Sequence, residues 1–336
     1  FAITATGSGL TYQWQSSTDG GTTYNNVVNG GIYADATTAT LSLTAVPATS
    51  SSTLFRCIVG GSCPPNVMSA ARLLVVNELP SISTQPIDKT ICFGASTTFD
   101  IIGSGAGITY QWQESTDAGA TFNNLANAGV YSGVTSQNLA LTTPSVGMNG
   151  NQYRCIVSGT CPPSVTSVAR ILTVNSLPTV TGHPLNTTIC PGGNASFGVI
   201  ASGTGITYQW QFSVDGGATF SNVNNGGIYS DATTTKLIIT GATAMQDGYQ
   251  YRCTISGTCT PSVNSFAGTL SIFTLPAVTS HGVNRTICAG DNTTFDVTAT
   301  GAGLTYQWQS STDGGTTYNN VVNGGIYTTS VFSSTL

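Results

Sequence analysis

Few residues in this chain have side chains that could carry out chemistry. Its 336 residues include nine Cys, two His and 13 acidic residues. Catalysis requires acids, bases or nucleophiles that converge in space with adjusted pKa values. The two histidines, His183 and His281, lie far apart in the chain, and no pair of acidic residues recurs along it. The sequence therefore predicts a protein that is not an enzyme and binds no cofactor.

One acidic residue does recur, in the pattern Ser-x-Asp-x-Gly-x-Thr-aromatic. An Asp side chain accepts backbone N–H bonds and Gly adopts positive φ, so the pattern predicts a tight hairpin turn. The pattern resembles the Asp-box of sialidases and other secreted β proteins. A role as a ligand for calcium or sugar is the alternative, but no second acidic residue has EF-hand-like spacing, and we predict no metal site. The four carboxylates are Asp19, Asp117, Asp215 and Asp313.

The cysteines recur with constant spacing and favour an oxidising, extracellular compartment. A zinc site would need close pairs such as Cys-x2-Cys, whereas the closest cysteines here have five residues between them and no His nearby. The sequence therefore favours disulfides over a metal. The three series, each with a period of 98 residues, are Cys57, Cys155 and Cys253; Cys63, Cys161 and Cys259; and Cys92, Cys190 and Cys288.

Two disulfide patterns are compatible with these series. The first joins Cys92 to Cys259 and would link neighbouring repeats. A bond from Cys92 to Cys161 within one repeat is less suitable, because those ends of a sandwich lie about 25 Å apart. A disulfide requires Cα atoms within about 7 Å of each other. The second pattern stays within repeats and joins Cys92 to Cys155 and Cys190 to Cys253.

The low charge of the chain excludes several classes of partner. It has 8 Lys or Arg and 13 Asp or Glu, which gives a formal net charge of −5. Nucleic acids and anionic membranes are bound through clusters of basic residues. No apolar run approaches the roughly 18 residues of a membrane span. We expect neither nucleic acid as a partner nor direct insertion into a membrane.

An internal repeat of 98 residues positions these side chains. The tetrad Tyr-Gln-Trp-Gln occurs four times at this spacing, and residues 10–33 are identical to residues 304–327. Self-similarity at a fixed period indicates a tandem array, which we expect to continue in a longer polypeptide. We predict a partial first repeat that lacks its first strand, two complete repeats, and a partial fourth repeat that lacks its last strands. Their bounds are 1–78, 79–176, 177–274 and 275–336.

Each repeat is predicted to fold as an Ig-like β-sandwich of about seven strands. Short segments that alternate apolar and polar residues are separated by Gly, Asn and Pro clusters, and none has helical periodicity. Strand B carries Ile101, Val199 or Val297 where antibody domains have their second Cys. The fold class is therefore all-β, a tandem array of Ig-like sandwiches. The tetrad indoles occupy the position of the buried strand-C Trp, so the predicted core residues are Trp14, Trp112, Trp210 and Trp308.

The motifs Thr-Ile-Cys-x-Gly, Tyr-Gln-Trp-Gln, Gly-x-x-Tyr-Arg-Cys and Ser-Gly-Thr-Cys together resemble the Ig-like repeats of very large secreted surface proteins of Bacteroidota-type bacteria. The resemblance implies a cell-surface, adhesin-type protein that forms a structural stalk or filament. Its partners would be neighbouring repeats or copies of the same chain, and surface glycans or a host surface. The alternative is a carbohydrate-binding array attached to a secreted enzyme. It would need an exposed aromatic row, for which the candidates are Tyr33, Tyr131, Tyr229 and Tyr327.

Overall fold

The computed structural model describes residues 1–327, so the end of the predicted fourth repeat lies outside the described residues. The described chain is built of β-strands, with three short 3-10 helices and no helix long and apolar enough to cross a membrane. It divides into two compact units, Phe1–Val174 and Asn175–Leu336. The 3-10 helices are Ala48–Ser50, Val146–Met148 and Ala244–Gln246.

The first two repeats contain eighteen strands. Those of the first repeat are β1 (Thr11–Ser17), β2 (Asn25–Asn26), β3 (Tyr33–Ala34), β4 (Ser42–Leu43), β5 (Leu54–Gly60), β6 (Val67–Met68) and β7 (Arg72–Leu73). Those of the second are β8 (Ser81–Thr84), β9 (Lys89–Cys92), β10 (Thr97–Asp100), β11 (Ile102–Ser104), β12 (Thr109–Ser115), β13 (Asn123–Asn124), β14 (Tyr131–Ser132), β15 (Asn138–Leu141), β16 (Gln152–Ser158), β17 (Val165–Thr166) and β18 (Arg170–Asn175).

The second repeat shows the complete sandwich. One layer is the sheet β10-β15-β14 with the pair β8-β11 beside it, and the other is the sheet β13-β12-β16-β18-β9. Strands β12 and β16 pair in a register that sets Trp112 opposite Cys155. Because side chains alternate across a strand, every second residue faces the other layer. The resulting core includes Phe99, Trp112, Leu139, Tyr153 and Leu172, all 0% exposed.

The third and fourth repeats contain the remaining strands. They are β19 (Thr179–Gly182), β20 (Thr187–Ile189), β21 (Ala195–Gly198), β22 (Ile200–Ser202), β23 (Thr207–Ser213), β24 (Ser221–Asn222), β25 (Tyr229–Ser230), β26 (Lys236–Ile239), β27 (Gln250–Ser256), β28 (Val263–Asn264), β29 (Gly268–Ile272), β30 (Ala277–Ser280), β31 (Thr298–Thr300), β32 (Gln309–Ser310) and β33 (Asn319–Asn320). In the third repeat β20 runs parallel to β29, from Thr187 opposite Leu270 to Ile189 opposite Ile272.

Candidate functional site

The central Gln-Trp pair of the Tyr-Gln-Trp-Gln tetrad forms hydrogen bonds that hold the fold together. In the second repeat Gln111 Nε2 donates to the carbonyl oxygens of Trp112, at 2.8 Å, and Leu125, at 3.0 Å. The indole Nε1 of Trp112 donates to the carbonyl oxygen of Ser136 at 2.9 Å. These bonds satisfy polar groups that would otherwise be left unpaired near the core. The same two bonds are formed by Gln13, Gln209 and Gln307.

The second Gln of the tetrad belongs to a row on the outer face of the sheet, which we call the Arg–aromatic row. Its members in the second repeat are Gln113, Phe122, Asn124 and Arg154. Arg154 Nε donates to Gln113 Oε1 at 2.7 Å, and Gln113 Nε2 donates to Asn124 Oδ1 at 2.8 Å. The guanidinium carbon of Arg154 lies 3.8 Å from the centre of the Phe122 ring, a cation–π contact. The row recurs around Tyr24 and Arg56, and around Phe220 and Arg252.

This row was not predicted from the sequence, although each of its residues recurs with the period. A signal was available, because the Arg of Tyr-Arg-Cys and the last aromatic of the Asp pattern recur together. Their contact depends on the pairing of β12 with β16, which sets Gln113 opposite Arg154. In these three repeats the arginine covers one face of the aromatic ring.

Three of the four tetrad indoles lie in the cores where they were predicted. Trp14 is 2% exposed, and Trp112 and Trp210 are 0% exposed. Trp308, predicted as a core residue, is only half-buried. Among the described residues of the fourth repeat, no strand pairs beside Trp308 in the way that β27 pairs with β23 in the third repeat.

The recurring Asp forms the predicted hairpin turn. Ser115 Oγ donates to Asp117 Oδ1 at 2.6 Å, and Thr121 donates its N–H to Oδ1 at 2.9 Å and its hydroxyl to Oδ2 at 2.5 Å. Gly119, at φ 93°, donates its N–H to Ser115 Oγ at 2.8 Å. The bonds from Ser115 and Thr121 lower the pKa of Asp117 to about 2. The carboxylate is thus engaged within its own turn.

Acid should loosen this turn between about pH 4 and pH 2. A carboxyl with a lowered pKa stabilises the folded state above its ordinary value, near 3.9, and this contribution is lost as the pH falls through the folded value. We expect the amide proton shift of Thr121 to titrate with a midpoint near pH 2 in NMR spectra. Asp117→Asn should abolish the titration, whereas Glu78→Gln at an exposed site should leave it unchanged. A midpoint near pH 4 would contradict the prediction.

The cysteines divide into two states. Cys92 and Cys259 are disulfide-bonded, whereas Cys155, Cys190 and Cys253 are free thiols. The pairs Cys92–Cys155 and Cys190–Cys253 are therefore not formed. The physical reason is position, because Cys155 and Cys253 are 0% exposed within the cores of their sandwiches, and neither Cys92 nor Cys190 belongs to those cores. Burial raises the pKa of the Cys155 and Cys253 thiols to about 11, so they are poor nucleophiles. The Cys92–Cys259 pairing stays a prediction.

The candidate tyrosines are half-buried, and Tyr33, Tyr131 and Tyr229 pack against the cores of their own sandwiches. Tyr33 meets Phe55 edge to face, with ring centres 6.1 Å apart. Tyr131 donates its hydroxyl to Glu114 Oε1 at 2.5 Å, and Asn151 and Tyr153 donate to the same oxygen at 2.8 Å each. Burial raises the pKa of the Tyr131 and Tyr153 phenols far above the ordinary value. The remaining two are Tyr229, bonded to the hydroxyl of Tyr251, and Tyr327, which bridges to Gly324.

No group of three His, Cys, Asp or Glu side chains gathers in the part of the chain that the structure describes. The histidine of the third repeat has a structural contact instead. His183 Nδ1 accepts the backbone N–H of Phe266 at 3.0 Å, and the two rings are 4.1 Å apart. In the second repeat Gln85 Oε1 accepts the backbone N–H of Val168 at 2.9 Å. The Gln85 amide and the His183 imidazole thus have the same structural role, as acceptors of a backbone N–H. This role requires no acid–base chemistry.

Comparison with known proteins shows the fold and the family. A family model described as "Domain of unknown function (DUF8696)" matches residues 1–78 and 82–176. An I-band fragment from titin is 17% identical, with a TM-score of 0.56, over 78% of this chain and 88% of the fragment. The three-Ig structure of a mutated variant of the same titin domains is 18% identical with a TM-score of 0.57 and the same coverage. The prediction of tandem Ig-like β-sandwiches is confirmed.

A second likeness concerns an enzyme. Endoglucanase C of Cellulomonas fimi is 28% identical over 129 residues, which make up 38% of this chain. The match spans 11% of the length of that endoglucanase.

Proposed function

The chain belongs to the family described as "Domain of unknown function (DUF8696)", and we propose that it is a non-enzymatic structural and adhesive segment of an extracellular bacterial surface stalk or filament. One observation supports the proposal: the recurring polar and aromatic residues bind one another within each of the first three repeats. The tetrad glutamines, the hairpin Asp and the Arg–aromatic row are all engaged in this way. No buried side-chain N or O atom among residues 1–327 lacks a hydrogen-bond partner.

The cysteines support an extracellular location. Disulfides persist in oxidising compartments, and Cys92 and Cys259 are both disulfide-bonded. We propose that they bond to each other, as the spacing of the series favours. A cross-linked peptide containing both residues in a non-reduced digest is the expected result, and free thiol at both positions would contradict it.

A carbohydrate-binding array attached to a secreted enzyme is the second candidate. The likeness to part of Endoglucanase C favours it, and the Arg–aromatic row supplies polar groups on an open face. Against it, the candidate tyrosines are half-buried, and Arg154 covers one face of Phe122. The structural and adhesive role therefore has the stronger support.

Two measurements on the full chain test the proposal. Protease treatment of intact source cells should release peptides from residues 79–274, and their release only after lysis would contradict a surface location. On an array of cellulose, chitin and soluble glycans, we expect retention to be the same for the chain and for the Arg154→Ala variant. Saturable retention that this substitution abolishes would favour the carbohydrate-binding candidate and overturn the preferred one.

A further inference from the structure

The third repeat has an open groove beside β21, which we call the β21 groove. Its volume is about 510 Å³, and its lining includes Leu185, Thr187, Ser196, Gly198 and Ile200. Among residues 1–327, β21 pairs with β26 alone and forms the outer edge of the sheet β21-β26-β25. An edge strand with a free side can pair with a strand of another chain.

The backbone groups of β21 that face the groove follow from its register. The N–H of Val199 donates to the carbonyl oxygen of Thr235 at 2.9 Å. These two residues lie opposite each other when the register of β21 with β26 is continued by one position. Residues of an antiparallel pair alternate between those that bond to the partner strand and those that do not. Ser196 and Gly198 therefore direct their N–H and C=O groups away from β26, towards the β21 groove.

Charged pairs lie at the equivalent edge in two other repeats. In the second repeat Lys89 Nζ lies 3.9 Å from Asp100 Oδ2. In the fourth repeat Arg285 Nη2 lies 4.0 Å from Asp296 Oδ2. Charged side chains on an edge strand prevent pairing with other strands, because pairing would remove water from the charges.

The third repeat has no such pair at this edge. It carries Thr187 and Gly198 at the two positions, and no charged residue occurs between Arg170 and Asp215. A side-chain carbon added at Gly198 would have no neighbouring atom within 4 Å, so there is open space beside the strand. The free edge of β21 is therefore accessible and uncharged.

Exposed apolar side chains lie around the β21 groove. Leu185 is 80% exposed and Ile200 is 68% exposed, and both line the groove. Phe266 is 74% exposed and stacks on His183, another lining residue, with ring centres 4.1 Å apart. A chain bound in the groove would remove this apolar surface from water, which favours its binding.

We propose that the β21 groove is a self-association site, in which β21 of one chain pairs antiparallel with β21 of a second copy. A two-fold axis at Phe197 would set Ser196 of each copy opposite Gly198 of the other, so that their outward N–H and C=O groups bond to each other. Such a contact uses the same patch on both chains. A second copy fits as the occupant because both faces are uncharged, so no like charges repel, and both bring exposed apolar side chains.

The proposal goes beyond the proposed function, because it concerns the surface through which two copies associate and does not depend on where the protein acts. Sedimentation of the full chain from roughly 1 μM to 1 mM is expected to show a reversible dimer. Leu185→Asp should weaken this dimer roughly tenfold or more, because the carboxylate would lose water without gaining a partner. Met245→Asp is the matched control, since Met245 is 76% exposed in the same repeat and lies outside the groove.

A double variant, Thr187→Lys with Gly198→Asp, gives the third repeat the ion pair of the second. It leaves the net charge unchanged, and we expect it to fold because the second repeat holds the same pair in an equivalent sandwich. This variant should stay monomeric at every concentration. In the unmodified chain, hydrogen exchange at the Ser196 and Gly198 amides should be slower at high concentration than at low, because pairing gives both N–H groups an acceptor.

Four results would overturn the proposal. The first is a chain that stays monomeric up to about 1 mM. The second is a dimer that Leu185→Asp or the double variant leaves unchanged, since the contact would then lie elsewhere. The third is equal weakening by Met245→Asp, which would show a general effect of added charge. The fourth is a dimer in which exchange at the two amides is unchanged, because β21 would then not be paired.

Discussion

Replacing Trp112 by Ala is expected to lower the free energy of unfolding of the second repeat by about 3–5 kcal/mol. The indole is 0% exposed and lies between the layers, 6.4 Å from Phe99 by ring centres. Its removal leaves a cavity between the two sheets. It also leaves the carbonyl oxygen of Ser136 without its donor, which adds to the loss.

The measurement should resolve single repeats, because arrays of this kind unfold in several steps. Hydrogen exchange of the β16 amides in urea reports on the second repeat alone. Trp308→Ala, measured by exchange of the β33 amides of the fourth repeat, is the matched control, since the same residue in the same tetrad is only half-buried there. Equal losses for the two substitutions would show that burial of the indole is not the source of the effect.

Replacing Glu114 by Phe is expected to destabilise the second repeat by about 1–3 kcal/mol, because buried donors lose their acceptor. Glu114 Oε1 accepts hydrogen bonds from Tyr131, Asn151 and Tyr153. Phenylalanine offers no acceptor, and the amide of Asn151 would face an aromatic ring.

The third repeat indicates how this loss can be recovered. It carries Phe212 and Tyr249 at the positions of Glu114 and Asn151, and these rings stack with centres 6.1 Å apart. Asn151→Tyr added to Glu114→Phe should therefore restore most of the stability. A double-mutant cycle measures the coupling. Strictly additive effects would mean that the two positions do not interact in the way that the third repeat suggests.

The features that the sequence predicted correctly are those in which the interacting residues lie close together in the chain. The Ser-x-Asp-x-Gly-x-Thr turn is an example, because Asp117 bonds to residues two and four positions away. The fold class also followed from short-range patterns of alternation and turns. The tetrad Trp could be assigned to the core because it recurs every 98 residues, each time in the predicted strand that matches strand C of an Ig-like sandwich.

The features that the sequence did not predict depend on register between distant segments. The contact of Arg154 with Phe122 requires β16 to pair beside β12, and nothing near Arg154 in the chain indicates it. The acceptor role of Glu114 likewise draws on donors from two distant segments, one at Tyr131 and one at residues 151–153. The partial exposure of Trp308 could not be predicted from its local sequence, because that sequence is identical to the one around the buried Trp14.

We expect the parallel pairing of β20 with β29 to give the third repeat mechanical strength along the chain. The first of these strands lies near the start of the repeat and the second near its end, so tension between the ends pulls them in opposite directions. Their hydrogen bonds are then loaded in shear and must break together, whereas a hairpin pulled from its open end loses its bonds one by one. The bond from the N–H of Thr269 to Asn186 Oδ1, at 2.9 Å, carries part of the same load. Resistance to stretching is thus concentrated in a patch of a few residues.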